Sequence, residues 1–77
     1  MRLEIVSPNG MLFNGEIEDA SFPGLAGSFD VLPNHAPMIA ALGEGVIRYE
    51  DGIKRYEQKI RNGFIEISNN ILSVCVE

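Results

Sequence analysis

Apolar and polar residues alternate along most of this chain, and turn residues interrupt the alternation at short intervals. Within 64–68, Ile65 and Ile67 share one side while Glu66 points to the other. Within 71–76, Leu72, Val74 and Val76 share a face, leaving Ile71, Ser73 and Cys75 opposite. Within 45–50, Ile47 and Tyr49 oppose Arg48 and Glu50. A period of two is the signature of a pleated strand with one buried face. The pattern predicts strands over 2–7, 11–13, 16–22, 28–32, 45–50, 53–60, 64–68 and 71–76. Between them stand Pro8-Asn9-Gly10, Asn14-Gly15, Pro23-Gly24, Gly43-Glu44-Gly45, Asp51-Gly52, Asn62-Gly63 and Asn69-Asn70. Asn-Gly and Asp-Gly pairs favour the positive backbone angles of tight hairpin turns. Only Met38–Leu42 reads as a helical turn, and it is too short for a helix. Many short strands with frequent hairpin signals predict an all-β fold, a flattened antiparallel sandwich or barrel.

With 77 residues, of which 45% are hydrophobic and 22% charged, the chain is expected to form one domain, residues 1–77. A chain this short buries only about 60–65% of its unfolded surface, so its core is thin and a larger partner would add stability. Leu12, Phe13, Ile39 and Phe64 are apolar at positions on the second faces of their strands. They either complete the core or form a partner surface.

The net charge of −5 argues against sequence-independent binding to nucleic acid, which needs clustered Lys and Arg. The single cysteine, Cys75, forms no internal disulfide, which fits a reducing compartment. Residues 1–10 mix charged and apolar types around Pro8 and Gly10 and do not read as a secretory leader. No apolar run approaches the length needed to span a bilayer.

No catalytic or metal motif emerges. Ser28, Asp30 and His35 supply the residue types of a hydrolytic triad, but Ser28 lacks the Gly-x-Ser-x-Gly elbow that lifts a nucleophile. One His and one Cys far apart match no zinc spacing, and Glu16, Glu18 and Asp19 lack a calcium-loop pattern. The run Gly43-Glu44-Gly45-Val46-Ile47-Arg48 has Arg48 where a dinucleotide fingerprint needs glycine, and it leads into a strand. His35 reads as a loop histidine bonded to nearby backbone, with Ala36 held extended by Pro37. Lys54, close to Asp51-Gly52, leaves a second reading open: a small lipoyl- or biotinyl-type carrier domain. Its flanks, Gly-Ile-Lys-Arg-Tyr, differ from the Met-Lys-Met typical of biotin carriers.

Several segments together carry a family resemblance. They are Arg2-Leu3-Glu4-Ile5-Val6-Ser7-Pro8, Phe13-Asn14-Gly15-Glu16, and Pro23-Gly24 with Gly27. After these come Val31-Leu32-Pro33-Asn34-His35-Ala36-Pro37, Gly45-Val46-Ile47-Arg48 and Gly63-Phe64-Ile65-Glu66-Ile67. In this order and spacing the chain resembles the epsilon subunits of rotary F-type ATP synthases. The resemblance implies a β-sandwich of two roughly five-stranded sheets. It implies a non-catalytic rotor subunit without a cofactor, lying between the gamma subunit of the central stalk and the membrane ring of c subunits. It implies coupling of ion translocation to ATP synthesis or hydrolysis at the cytoplasmic face of a bacterial inner membrane, with membrane contact only through the complex. By the family's motif positions, the 24–37 loop should face the c ring through Leu25, Ala26, Ser28 and His35. The gamma contact should use Leu12, Phe13, Ile39 and Phe64, and the isolated domain is expected to self-associate when that patch is uncovered. Many relatives continue into a C-terminal helical hairpin that restrains ATP hydrolysis. The sequence at hand ends at Cys75-Val76-Glu77, so no hairpin-based inhibition and no ATP site are expected.

Overall fold

The computed structural model describes residues 1–77 as nine β-strands with no helix. These are β1 (Arg2–Ser7), β2 (Gly10–Glu16), β3 (Asp19–Gly24), β4 (Gly27–Val31), β5 (Met38–Leu42), β6 (Gly45–Glu50), β7 (Arg55–Ile60), β8 (Gly63–Ser68) and β9 (Ile71–Val76). All pairings are antiparallel except β1 with β9. The strands form one continuous sheet in the order β2-β1-β9-β8-β5-β3-β6-β7, with β4 paired to β3. The expected all-β architecture therefore holds, but the two sheets are joined. Strand β3 links them: its end pairs β5 at Gly24↔Leu42, while Asp19–Ser21 pair Glu50–Arg48 of β6.

The sheet curls until its apolar faces meet. Leu3, Ile5, Phe22, Val31, Leu42, Ile47, Ile65, Ile67, Leu72 and Val74 are fully buried there, and no charged or polar residue is buried with them. Each such aliphatic side chain contributes about 1.5–3 kcal/mol relative to exposure. The edge strands β2 and β7 are not hydrogen-bonded to each other; aromatic rings close the seam. Phe13 of β2 lies 4.6 Å from Tyr49 and 5.4 Å from Tyr56, and the two tyrosines stack at 5.1 Å.

Two local expectations change. Met38–Leu42 is a strand, not a helical turn. Its backbone pairs residue for residue with Gly63–Ile67 of β8, and tertiary pairing overrides a weak five-residue preference. Asn14-Gly15 is not a turn either. It runs inside β2, pairing Glu4 and Leu3, and the reversal falls later, at Ile17 and Glu18. Ile17 is anchored there by its N–H donating to the Met1 carbonyl at 2.8 Å.

Because the strands run up and down, the connections segregate to two ends. At one end lie Pro8-Asn9, Leu25-Ala26, Gly43-Glu44 and Arg61-Asn62. At the other lie Ile17-Glu18, residues 32–37, Asp51–Lys54 and Asn69-Asn70. The first is called here the hairpin end.

Candidate functional site

Registers between neighbouring strands place a row of side chains across the outer face of β2, β1, β9, β8 and β5. Met11 pairs Val6, Val6 pairs Cys75, Cys75 pairs Phe64, and Phe64 pairs Ala41. All five face away from the core, because their neighbours Ile5, Val74, Ile65 and Leu42 face into it. Phe64 is 54% exposed. The hairpin between β3 and β4 extends the row: the Leu25 N–H donates to the Ala41 carbonyl at 3.0 Å, and the Leu25 side chain is 72% exposed. A shallow trough of about 480 Å³ results. Val6, Leu25, Ala41, Phe64 and Cys75 line it, with Pro8 and Glu77 at its margin and no lysine or arginine. Gly63 belongs to this trough for a steric reason: a Cβ there would run into the Cys75 carbonyl of β9.

Two residues farther along the strands from the hairpin end, or three on β2 across its bulge, the outer face turns polar. The next row reads Asn14, Glu4, Ser73, Glu66 and Ile39. Ile39 is 74% exposed. Glu4 Oε2 forms an ion pair with Arg2 Nε at 3.5 Å, whereas Glu66 has no ion-pair partner.

The outer face of β3, β6 and β7 differs in kind. Arg48 Nε meets Glu57 Oε2 at 3.0 Å and Arg55 Nε meets Glu50 Oε2 at 3.2 Å, with Asp19, Ser21 and Asp30 beside them. These pairs are open to solvent and hold the face hydrated.

The expected contact residues separate in space. Leu25 and Ala26 form the two-residue tip between Gly24 and Gly27, whose φ of 132° glycine tolerates, and Ser28 follows on β4 opposite Pro23. His35 is not with them. It lies at the opposite end of β5, beyond Met38, where the Asn34 N–H donates to Asn70 Oδ1 at 2.8 Å. The His35 ring hydrogen-bonds through Nδ1 with the Ala36 carbonyl at 2.7 Å, as a loop histidine was expected to do. Of the second group, Leu12, Ile39 and Phe64 are exposed, but Phe13 turns inward against Tyr49 and Tyr56. Its register opposite Ile5 puts the half-buried Phe13 ring on the core side of β2, apart from the other three. Sequence reading missed Val6, Ala41 and Cys75, which join the row only through strand register.

The remaining chemistry does not converge. Ser28 and Asp30 lie on β4, away from the His35 bond to Ala36, and no three His, Cys, Asp or Glu side chains gather into a metal-binding group. Lys54 sits at the β6–β7 turn with Nζ 5.4 Å from the Tyr56 ring centre. That turn is organised by Asp51, whose Oδ1 accepts from the Ile53 and Lys54 N–H groups at 2.9 and 2.7 Å. Those two bonds, and one from the Tyr56 hydroxyl at 3.3 Å, hold the Asp51 carboxyl below the usual carboxylate range. The Tyr49 hydroxyl is pushed up by burial and by neighbouring Tyr56.

Comparison with known proteins gives a single answer. A family model described as "ATP synthase, Delta/Epsilon chain, beta-sandwich domain" matches residues 1–77. An ATP synthase epsilon chain of Leptospira borgpetersenii is 36% identical over 77 residues, covering 100% of this chain and 61% of the relative. One from a Nitratiruptor species is 40% identical over 79 residues, covering 100% and 60%. The chain thus spans about three fifths of the length of these relatives. Among solved structures, a chain of the Tetrahymena thermophila mitochondrial ATP synthase central stalk and c ring superposes with a TM-score of 0.86 at 11% identity, covering 99% of this chain and 62% of that one. A chain of the Euglena gracilis mitochondrial ATP synthase gives 0.88 at 18% identity, covering 96% and 48%. At those identities the structural likeness speaks to the fold.

Proposed function

Because the chain belongs to the ATP synthase delta/epsilon β-sandwich family, we propose that it serves as the rotor domain that ties the gamma subunit of the central stalk to the membrane ring of c subunits. The domain makes and breaks no bonds. It transmits the turning of the ring to the stalk, and so couples ion translocation to ATP synthesis or hydrolysis in the catalytic head. On this reading it works at the cytoplasmic face of the inner membrane and meets the membrane only through the complex. The carrier reading built on Lys54 gives way to family membership.

The observation that carries the proposal is the contrast between outer faces. A torque-transmitting body needs firm attachment on one side and hydration on the other. The apolar trough supplies the first: Val6, Phe64, Ala41 and Cys75, with Leu12 and Ile39 on the same outer surface, are assigned to gamma. The turn Leu25-Ala26 with Ser28, at the hairpin end, is assigned to the c ring, and Leu25 sits where the two surfaces meet. His35 and Phe13 drop out of both sets.

Rigidity comes from the fold. Every strand is paired, and Gly24, Gly45 and Gly63 allow backbone approaches that no side chain would fit. The test is co-elution with the cognate gamma subunit on a sizing column. A one-to-one complex is expected; clean separation of two folded proteins would overturn the reading.

A further inference from the structure

The trough and the acidic row beside it constrain the shape and charge of what they bind. The row from Met11 to Ala41 crosses five strands, or about 19 Å at roughly 4.8 Å per strand step. It therefore runs perpendicular to the strands. An extended segment laid along it would find no backbone partner, since the N–H and C=O groups beneath are already paired within the sheet, and would leave its own unpaired against apolar side chains. An α-helix satisfies its own backbone, and about 13 residues of helix at 1.5 Å each cover the same length. Its apolar positions at i, i+3 or i+4 and i+7 would fall at Phe64, Cys75 and Val6, with Leu25 closing one end.

Charge then fixes which way round the helix lies. Glu66 and Glu4 stand in the adjoining row on one side of the trough, and Glu77 lies at the other margin, with no cation among the lining residues. We propose that the trough receives an amphipathic α-helix of the gamma subunit, with lysine or arginine flanking its apolar stripe to meet Glu66 and Glu4. This deepens the rotor reading and rests on it. Glu66 is the specificity-determining position. It has no ion-pair partner within the chain, so an incoming cation finds its full charge, whereas Glu4 is shared with Arg2.

The experiment measures binding of this chain to its cognate gamma subunit at low and high salt, for the wild type, Phe64→Ser and Glu66→Lys, with circular dichroism as the check on folding. Charges at an interface rim act strongly at low ionic strength and are screened at high. Glu66→Lys should weaken binding about tenfold at low salt, and most of that loss should vanish at high salt. Phe64→Ser should weaken binding at both. A Lys or Arg→Glu change on the protected gamma helix should restore affinity to Glu66→Lys. Hydrogen exchange on gamma should protect one helical, basic segment.

If Phe64→Ser weakens binding while Glu66→Lys does not, gamma occupies the trough but the charge assignment is wrong. Protection of a gamma strand or of an acidic segment would overturn the helix. If the wild type does not bind gamma at all and instead forms a dimer that Phe64→Ser dissociates, a second copy is the occupant and the rotor reading fails with it.

Discussion

The two outer faces of this curled sheet are built on the same backbone and differ almost entirely in side chains. Across β1, β9, β8 and β5 the row nearest the hairpin end is Val6, Cys75, Phe64 and Ala41. Across β3, β6 and β7 the facing positions are Ser21, Arg48 and Glu57, then Asp19, Glu50 and Arg55. One face leaves apolar area in water and the other pairs its charges. The difference teaches that the fold itself needs neither face. The core is complete behind both, so what stands outside is free to be specified by partners.

The most severe way to break the apolar face is through its floor. Gly63→Val should destabilise the chain by about 3 kcal/mol or more, read as a shift in the urea midpoint, because the new side chain collides with the β9 backbone. Phe13→Ala should cost about 2–3 kcal/mol by the same measurement, through lost packing against Tyr49 and Tyr56. If Phe13 were instead a surface contact, stability would hold and only partner binding would fall.

The contrast sharpens with Phe64→Ser. Its effect should appear in affinity for gamma, at about 2 kcal/mol, with stability changed by less than about 0.5 kcal/mol. On the charged face, Arg48→Ala should leave gamma affinity unchanged and cost under about 1 kcal/mol of stability, since the Glu57 pair is solvent-exposed.

The smallest effect belongs to Asp51. Its carboxyl is held below the ordinary value by the Lys54 and Ile53 N–H groups. Its stabilising contribution is therefore complete above the unfolded carboxylate value of about 3.9 and is lost as pH falls through the lower folded value. Asp51→Ala should flatten that acid limb of the stability profile and leave the neutral region little changed in slope.

Much of this was legible beforehand. The alternation in 45–50, 64–68 and 71–76 gave the burial of Ile47, Tyr49, Ile65, Ile67, Leu72, Val74 and Val76 correctly, because a period of two maps directly onto two faces. The family motifs pointed to the same family that the full-length match shows. The two misread segments share one cause, tertiary pairing that overrides a local signal. Met38–Leu42 was ambiguous in isolation and became a strand by pairing β8. Asn14-Gly15 carried a turn signal that the β1 ladder overrode. His35 lies seven residues from Ser28 in sequence, yet at the other end of the sheet, because β4 carries the chain away from the hairpin tip.

Local chemistry in the sequence determined most of the strands and which face of each is apolar. The tertiary structure alone decided which surplus apolar residues stand together. Val6, Phe64 and Cys75 are far apart in the chain, and only strand order and register make them a row. Register is fixed cooperatively by the buried face, since a slip of one residue would turn Leu3, Ile5, Leu72 and Val74 out of the core. The outer face inherits its pattern from that constraint, which is why the apolar row could not be read until the core had been placed.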